Sequence, residues 1–205
     1  MIDIAVIIFL FAFLHSVMAS NRFKRACTGL FGDMFMRAYY RALYNTVSLI
    51  TAAIAFTLIA QAPDHVLWIA PVWLWWTMRG VQLTGAVIIA LAFQHLDGGE
   101  FLGLRQVWRR LSHGETAGNI DGLTQTELIT TGVYGIVRHP MYLGGIIIFT
   151  FDPHITRNGL ITTLCADIYF LFGMLIEERR FLDVFGERYT EYAKRVARFV
   201  PRMKR

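Results

Sequence analysis

A chain of 205 residues suits one domain, but 55% of these residues are hydrophobic and the formal charge is +5. That composition excludes an ordinary soluble globule and points to an integral membrane protein. The basic excess does not describe a nucleic-acid surface, because the arginines and lysines occupy short segments between apolar runs and the C-terminal end, the pattern membrane topology imposes. Two cysteines, Cys27 and Cys165, are too few for a disulfide framework and have no metal-ligand spacing, so they read as packing residues.

Residues 2–19 are apolar apart from Asp3, His15 and Ser16, and cationic residues follow this run rather than precede it. This predicts a retained transmembrane helix in place of a cleaved signal. His15-Ser16 is either an interface polar pair or the lining of a site, since ionisable residues inside membrane segments are functional by default. Residues 20–41 carry Arg22, Lys24, Arg25, Arg37 and Arg41 against Asp33 alone, and read as a cytoplasmic loop. Residues 43–60 form a second apolar run, long enough at ~1.5 Å per residue for a ~30 Å hydrocarbon core. Residues 61–65 then make a short loop without a basic residue, on the far side.

Residues 66–78 contain Trp68, Trp73, Trp75, Trp76 and Pro71, and Arg79-Gly80 precedes a cleaner run over residues 81–93. Tryptophans gather at the headgroup level, so an interfacial segment feeding a third crossing is favoured; the alternative is one long helix bent near Arg79-Gly80. His95, Arg105, Gln106, Trp108, Arg109 and Arg110 come next, and then a polar loop to Thr131 that is long enough to be a lid or part of a site. Trp108, Arg109 and Arg110 read as headgroup anchors, and His113 and His154 as solvated loop residues. The fourth run, residues 142–151, is broken by Asp152-Pro153-His154, and a fifth continues from Asn158 to Ile176. These two runs predict a tight helical hairpin, with residues 152–158 on the far side. The count is about five crossings, amino terminus outside and carboxyl terminus inside, with every basic loop on one side. Residues 177–205 are expected to continue as a charged amphipathic helix until Pro201. The fold class is therefore all-α: a single polytopic domain over residues 1–205 with a cytoplasmic C-terminal amphipathic helix.

Two polar clusters close apolar runs on the same side. The first runs from Gly132 to Tyr142 and holds Tyr134, Val137, Arg138, His139 and Pro140; the second is Glu177-Glu178-Arg179-Arg180. Pro140 suits a first helical turn, where its missing N–H costs nothing. Adjacent glutamates on a helix point about 100° apart, so one can face a pocket while the other pairs with Arg138 or Arg180. From the residues alone, an interfacial charge belt and a ligand site both remain open.

Tyr134, Val137-Arg138-His139-Pro140, Tyr142, Gly144, Glu177-Glu178, Phe185-Gly186, Tyr189, Tyr192 and Pro201 together resemble the C-terminal signature of the integral membrane methyltransferases, which include isoprenylcysteine carboxyl methyltransferases and phospholipid N-methyltransferases. The resemblance implies S-adenosyl-L-methionine as cofactor, with a signature over residues 130–201. It implies contacts from His139, Tyr142 and one of Glu177 and Glu178, with Tyr134, Val137 and Arg138 nearby. The segments Leu14-His15-Ser16-Val17-Met18-Ala19, Phe23-Lys24 and Leu102 to Trp108 resemble the bacterial methanethiol S-methyltransferases, which make dimethyl sulfide. This finer resemblance departs at residues 114–125 and at Asp152-Pro153-His154, so it bears on the acceptor less firmly than on the cofactor.

The implied reaction is in-line methyl transfer to a small thiol, which must first lose its proton. Arg105 is the candidate to stabilise the thiolate, His95 or His15 to relay the proton, and Gln106 and Ser16 to hold the acceptor. No metal spacing occurs and no metal is expected. A lipid-embedded acceptor, a prenylcysteine carboxylate or a phospholipid amine, is the alternative within the enzyme class. A non-catalytic membrane protein binding haem or lipid, with His15, His95 and His139 as ligands, is the alternative outside it. The expected location is a bacterial inner membrane.

Overall fold

A computed structural model of the chain describes residues 4–114 and 128–201; most of the polar loop of residues 114–125 singled out in the sequence lies outside the described residues. The fold is helical, with one two-stranded antiparallel sheet among the described residues. The chain divides into two compact units, Met1–Ala62 with Leu96–Thr126 and Pro63–His95 with Glu127–Arg205.

In the first unit, α1 (Ile4–Ala19) meets α2 (Asn21–Phe31) at a 62° bend. Ser20 makes the bend: its hydroxyl donates to the Val17 carbonyl and accepts from the Phe23 N–H, capping α2. The basic segment expected to be a loop is thus helical, ending at Gly32. From there α3 (Asp33–Gln61) runs unbroken. The two short helices α5 (Gly98–Leu102) and α6 (Leu104–His113) meet at Gly103, whose φ of 83° is left-handed. A side chain there would also collide with the backbone of Arg41 and Ala42, so only glycine lets this corner sit on α3. Asn45 completes the dock by donating to the Phe101 carbonyl at 3.0 Å.

In the second unit, β1 (Val66–Ile69) precedes α4 (Val72–Phe93), so residues 66–94 are a strand and a helix rather than one bent helix. The strand pairs antiparallel with β2 (His154–Thr156), which lies between α7 (Pro140–Thr150) and α8 (Arg157–Phe185). Asp64 stitches this end, accepting from the N–H groups of His65 at 2.8 Å and Asn158 at 2.9 Å, while Asn158 donates to the Pro63 carbonyl. Helices α4 and α7 touch at glycines: a Cβ on Gly144 would stand 2.6 Å from the Gly85 carbonyl oxygen and 2.5 Å from Ile89.

Helix α8 does not stop with its apolar run. It carries Glu177 and Glu178 on to Phe185 and breaks at Gly186, with φ 54° and ψ −124°. Helix α9 (Glu187–Arg195) is short, and Val196 returns to extended backbone. The single amphipathic helix expected over residues 177–205 is therefore two helices and an extended strip. The break is physical: Gly186 occupies backbone space that a side chain disfavours, and residues 197–198 are needed to bond to residues 138–139.

All five apolar runs form helices. Three of them, α3, α4 and α8, are long and apolar enough to cross a membrane; α1 with α2 passes as a bent pair, and α7 is a shorter apolar helix. Large apolar side chains stand exposed along these spans, Leu49 by 73% and Phe172 by 63%. Such surface is stable against lipid and not against water. The chain is an integral membrane protein.

Candidate active site

In the second unit a cluster of ionisable groups forms where α4 ends, α7 begins and α8 ends. His139 caps α7 and Pro140 takes the first turn, as its missing N–H allows. Just before it, Gly132–Gly135 forms a 3-10 turn. The strip after α9 runs parallel to the chain entering α7: Arg138 N–H donates to the Ala197 carbonyl at 2.8 Å and His139 N–H to the Arg198 carbonyl at 3.3 Å. The side chain of Val137 is buried in this junction.

Glu178 holds the junction together. Its Oε1 accepts from Arg138 Nη2 at 2.6 Å and Nε at 3.2 Å, and lies 3.3 Å from His139 Nε2 and 3.4 Å from the Tyr189 hydroxyl. Its Oε2 accepts from Arg198 Nη2 at 2.7 Å and Nε at 3.0 Å. Arg138 spends Nη1 on the carbonyls of Ala193 and Val196, both at 2.7 Å. Tyr192 donates to the Tyr134 carbonyl at 2.6 Å. Burial pushes the Tyr192 phenol up to about 12, against the pull of the Arg138 charge. Burial and then the Glu177 carboxylate push Tyr134 up to about 12 as well.

Glu177 is differently placed. Its side chain is 37% exposed, and Oε2 lies 3.4 Å from Nδ1 of the buried His139. The His139 ring meets Tyr142 and Phe199 edge-on, with centroids 5.8 and 6.4 Å away. His95, one residue past the cap of α4, directs its Nδ1 at the Leu91 carbonyl, 3.0 Å away. Because a carbonyl only accepts, Nδ1 carries the proton in that bond and Nε2 has the acceptor role in the neutral ring. Its Nε2 edge lies against Gly132, where a Cβ would overlap it, and its ring centroid is 6.1 Å from that of Tyr134. Beside Arg138 opens a cleft of about 780 Å³, lined also by Thr190, Lys194, Arg198 and Phe199.

Thus Tyr134, Val137, Arg138, His139, Tyr142, Glu177, Glu178 and His95 belong to one unit. His15, Ser16, Arg105 and Gln106 belong to the other. There, His15 Nε2 lies 2.7 Å from the Tyr44 hydroxyl and Nδ1 3.0 Å from Ser48 Oγ, and Ser16 is exposed. Arg105 pairs with Asp97 at 2.8 Å. Gln106 is buried and donates to the Glu100 carbonyl; its Oε1 has no partner among the described residues. Sequence reasoning passed over Arg198, Tyr44 and Ser48. The signal for Arg198 was a cation three residues before Pro201, facing a paired acid; Tyr44 and Ser48 had the four-residue spacing of one helix face.

A clamped carboxylate, a second carboxylate left open beside a buried imidazole, and flanking aromatic rings fit a cationic small molecule with a planar group. A comparison with protein families matches residues 4–198 to the NnrU protein family. Over 94% of its length the chain is 31% identical to methanethiol S-methyltransferase 1 of Bradyrhizobium diazoefficiens, spanning 64% of that protein. It is likewise 31% identical over 97% of its length to methanethiol S-methyltransferase of Pseudomonas deceptionensis, spanning 72% of it. A protein-S-isoprenylcysteine O-methyltransferase of Tribolium castaneum is 31% identical over 48% of the chain, covering 38% of that relative. The chain thus spans a little under two thirds of the Bradyrhizobium protein. No solved structure matches.

Proposed function

The chain belongs to the NnrU protein family, and we propose that it transfers a methyl group from S-adenosyl-L-methionine to a small thiol, methanethiol being the acceptor its relatives' names favour. The observation that carries the reading is the unequal pair of glutamates: Glu178 is consumed in clamping Arg138 and Arg198, while Glu177 keeps an accessible carboxylate beside His139.

The donor, when bound, supplies a methyl group already activated on a sulfonium, so the protein's task is alignment and exclusion of water. Glu177, His139, Tyr142 and Tyr134 are the residues that would hold it: a carboxylate for its positive charge, and ring faces for the sulfonium and the base. Arg138 and Glu178 contribute by fixing the C-terminal strip against the start of α7, and Val137 by packing that junction. In the transfer, the acceptor sulfur forms its bond to the methyl carbon as the donor's carbon–sulfur bond breaks, and the thiol proton must already have left. His95 or His15 is the group that takes up and relays that proton. Arg105 is the candidate to stabilise the thiolate, and Gln106 and Ser16 are the candidates to hold the acceptor. The enzyme sits in a bacterial inner membrane with residues 152–158 outside and the Glu178 cluster at the cytoplasmic end, the orientation its basic segments favour.

The test is methyl transfer from labelled S-adenosyl-L-methionine by purified protein, offering methanethiol, a prenylcysteine and phosphatidylethanolamine. Dimethyl sulfide formed by the wild type and lost in Glu177→Gln and His139→Ala supports the reading. Transfer to the prenylcysteine alone moves the acceptor to the other relatives' class, and absence of both transfer and donor binding refutes it. Among His95→Gln, His15→Gln and Arg105→Gln, those that lose turnover at unchanged donor affinity act on the acceptor.

A further inference from the structure

The short sheet at the other end of the second unit has no place in the reaction. Helix α4 runs from β1 to His95, so β1 and the Glu178 cluster lie at opposite ends of that unit's helices. All four β1 residues, Val66, Leu67, Trp68 and Ile69, are exposed, although every one is apolar. The exposure continues into the first turns of α4, where Trp73 and Trp76 are 70% and 71% exposed.

Two constraints locate such a sheet. Apolar side chains on both faces of a strand disfavour bulk water. A two-stranded sheet also leaves one edge of each strand outside the ladder, and unpaired main-chain groups are excluded from hydrocarbon. A layer that is apolar on one side and hydrogen-bonding on the other satisfies both, and the headgroup region, where tryptophan concentrates, is such a layer. Arg79 supports the same level: it reaches back from inside α4 to within 3.8 Å of Asp152 at the hairpin tip while lying over the Trp75 ring at 5.1 Å. That is the posture of a cation drawn toward the water boundary. The 22 residues of α4 then cover ~33 Å, one hydrocarbon thickness from this layer to the other boundary.

We propose that β1 and β2 form an interfacial seat, held in the lipid headgroup layer by Trp68, Trp73 and Trp76, which fixes the depth of α4, α7 and α8. The partner is the phospholipid headgroup layer itself, and the proposal stands independently of methyl transfer. Full-length protein in phosphatidylcholine vesicles, carrying Trp68 or Trp73 as its one tryptophan, would be exposed to lipids brominated near the headgroup or deep in the chain, and to aqueous iodide. Shallow bromolipid quenching exceeding both deep and iodide quenching by about twofold is expected from an interfacial ring. Dominant iodide quenching, dominant deep quenching, or protection from all three, as a protein partner or second copy would give, overturns it. Should the tryptophan replacements disturb folding, a spin label on Leu67→Cys in a Cys27→Ser, Cys165→Ser background reads the same depth from its oxygen and nickel accessibility, a water-exposed label overturning the proposal.

Discussion

Glu178 and Glu177 are neighbours with opposite duties, and substitution should separate them. Removing the Glu178 carboxylate leaves Arg138 and Arg198 without their shared anion and frees the strip after α9. Stripping one partner from a buried pair costs ~3–5 kcal/mol. Glu178→Ala should therefore lower the thermal midpoint in detergent sharply, with loss of donor binding as a consequence of the lost junction. Glu177→Gln should change the stability by no more than about 0.5 kcal/mol, as partly exposed substitutions do, and so leave the midpoint close to wild type, yet weaken donor binding measured by calorimetry. Equal thermal losses in the two variants would erase the distinction. The sequence placed both residues at the membrane boundary and allowed that one could pair with Arg138. It could not say which, because the choice depends on where the chain returns after Gly186, a contact between residues 40 and 20 positions apart in sequence.

At the scale of elements, two joints carry the second unit. The α4–α7 crossing is close because Gly85 and Gly144 present no side chains. Gly144→Val should force the helices apart at a cost of ~1–3 kcal/mol, read as a lower unfolding midpoint; a conservative Leu143→Ile change, away from the glycine contact, should not do so. The C-terminal joint depends on phenols held neutral. Tyr192 and Tyr134 both have pKa values raised to about 12 in the fold by burial, against an ordinary value of 10.0. A raised folded pKa means the unfolded chain releases its proton first, so stability is intact below pH 10 and falls as pH rises toward 12. Absorbance of tyrosinate should accordingly show a late step near pH 12, smaller in Tyr192→Phe, which also loses the bond to the Tyr134 carbonyl. A single titration near pH 10 would contradict the buried joint.

Across the whole molecule, the apolar runs made the helical class and the crossing helices legible, because lipid exposure writes itself into sequence as unbroken hydrophobicity. The His139-Pro140 helix start was legible for the same local reason, a proline whose missing N–H suits only a first turn. What stayed hidden was set by distant or backbone geometry. The helicity of residues 21–31 rested on the Ser20 cap, and β1 depended on a partner nearly ninety residues away. The helix expected over residues 177–205 breaks at Gly186 and gives way to an extended strip after α9, because residues 197–198 bond back to residues 138–139. Charge distribution, by contrast, is a whole-chain property and gives the last prediction. Within the second unit, α4, α7 and α8 alternate between the sheet end and the Glu178 end, so those ends lie on opposite sides of the membrane if the helices cross it. Arg179, Arg180, Arg188, Lys194 and Arg195 crowd the Glu178 end. Cationic segments near membrane helices are retained in the cytoplasm. In a cysteine-free background, Asp152→Cys should react with an impermeant maleimide in intact cells, and Arg188→Cys only after permeabilisation. The reverse labelling would invert the orientation while leaving the alternation intact, whereas labelling of both sites from one side would mean that α8 does not cross.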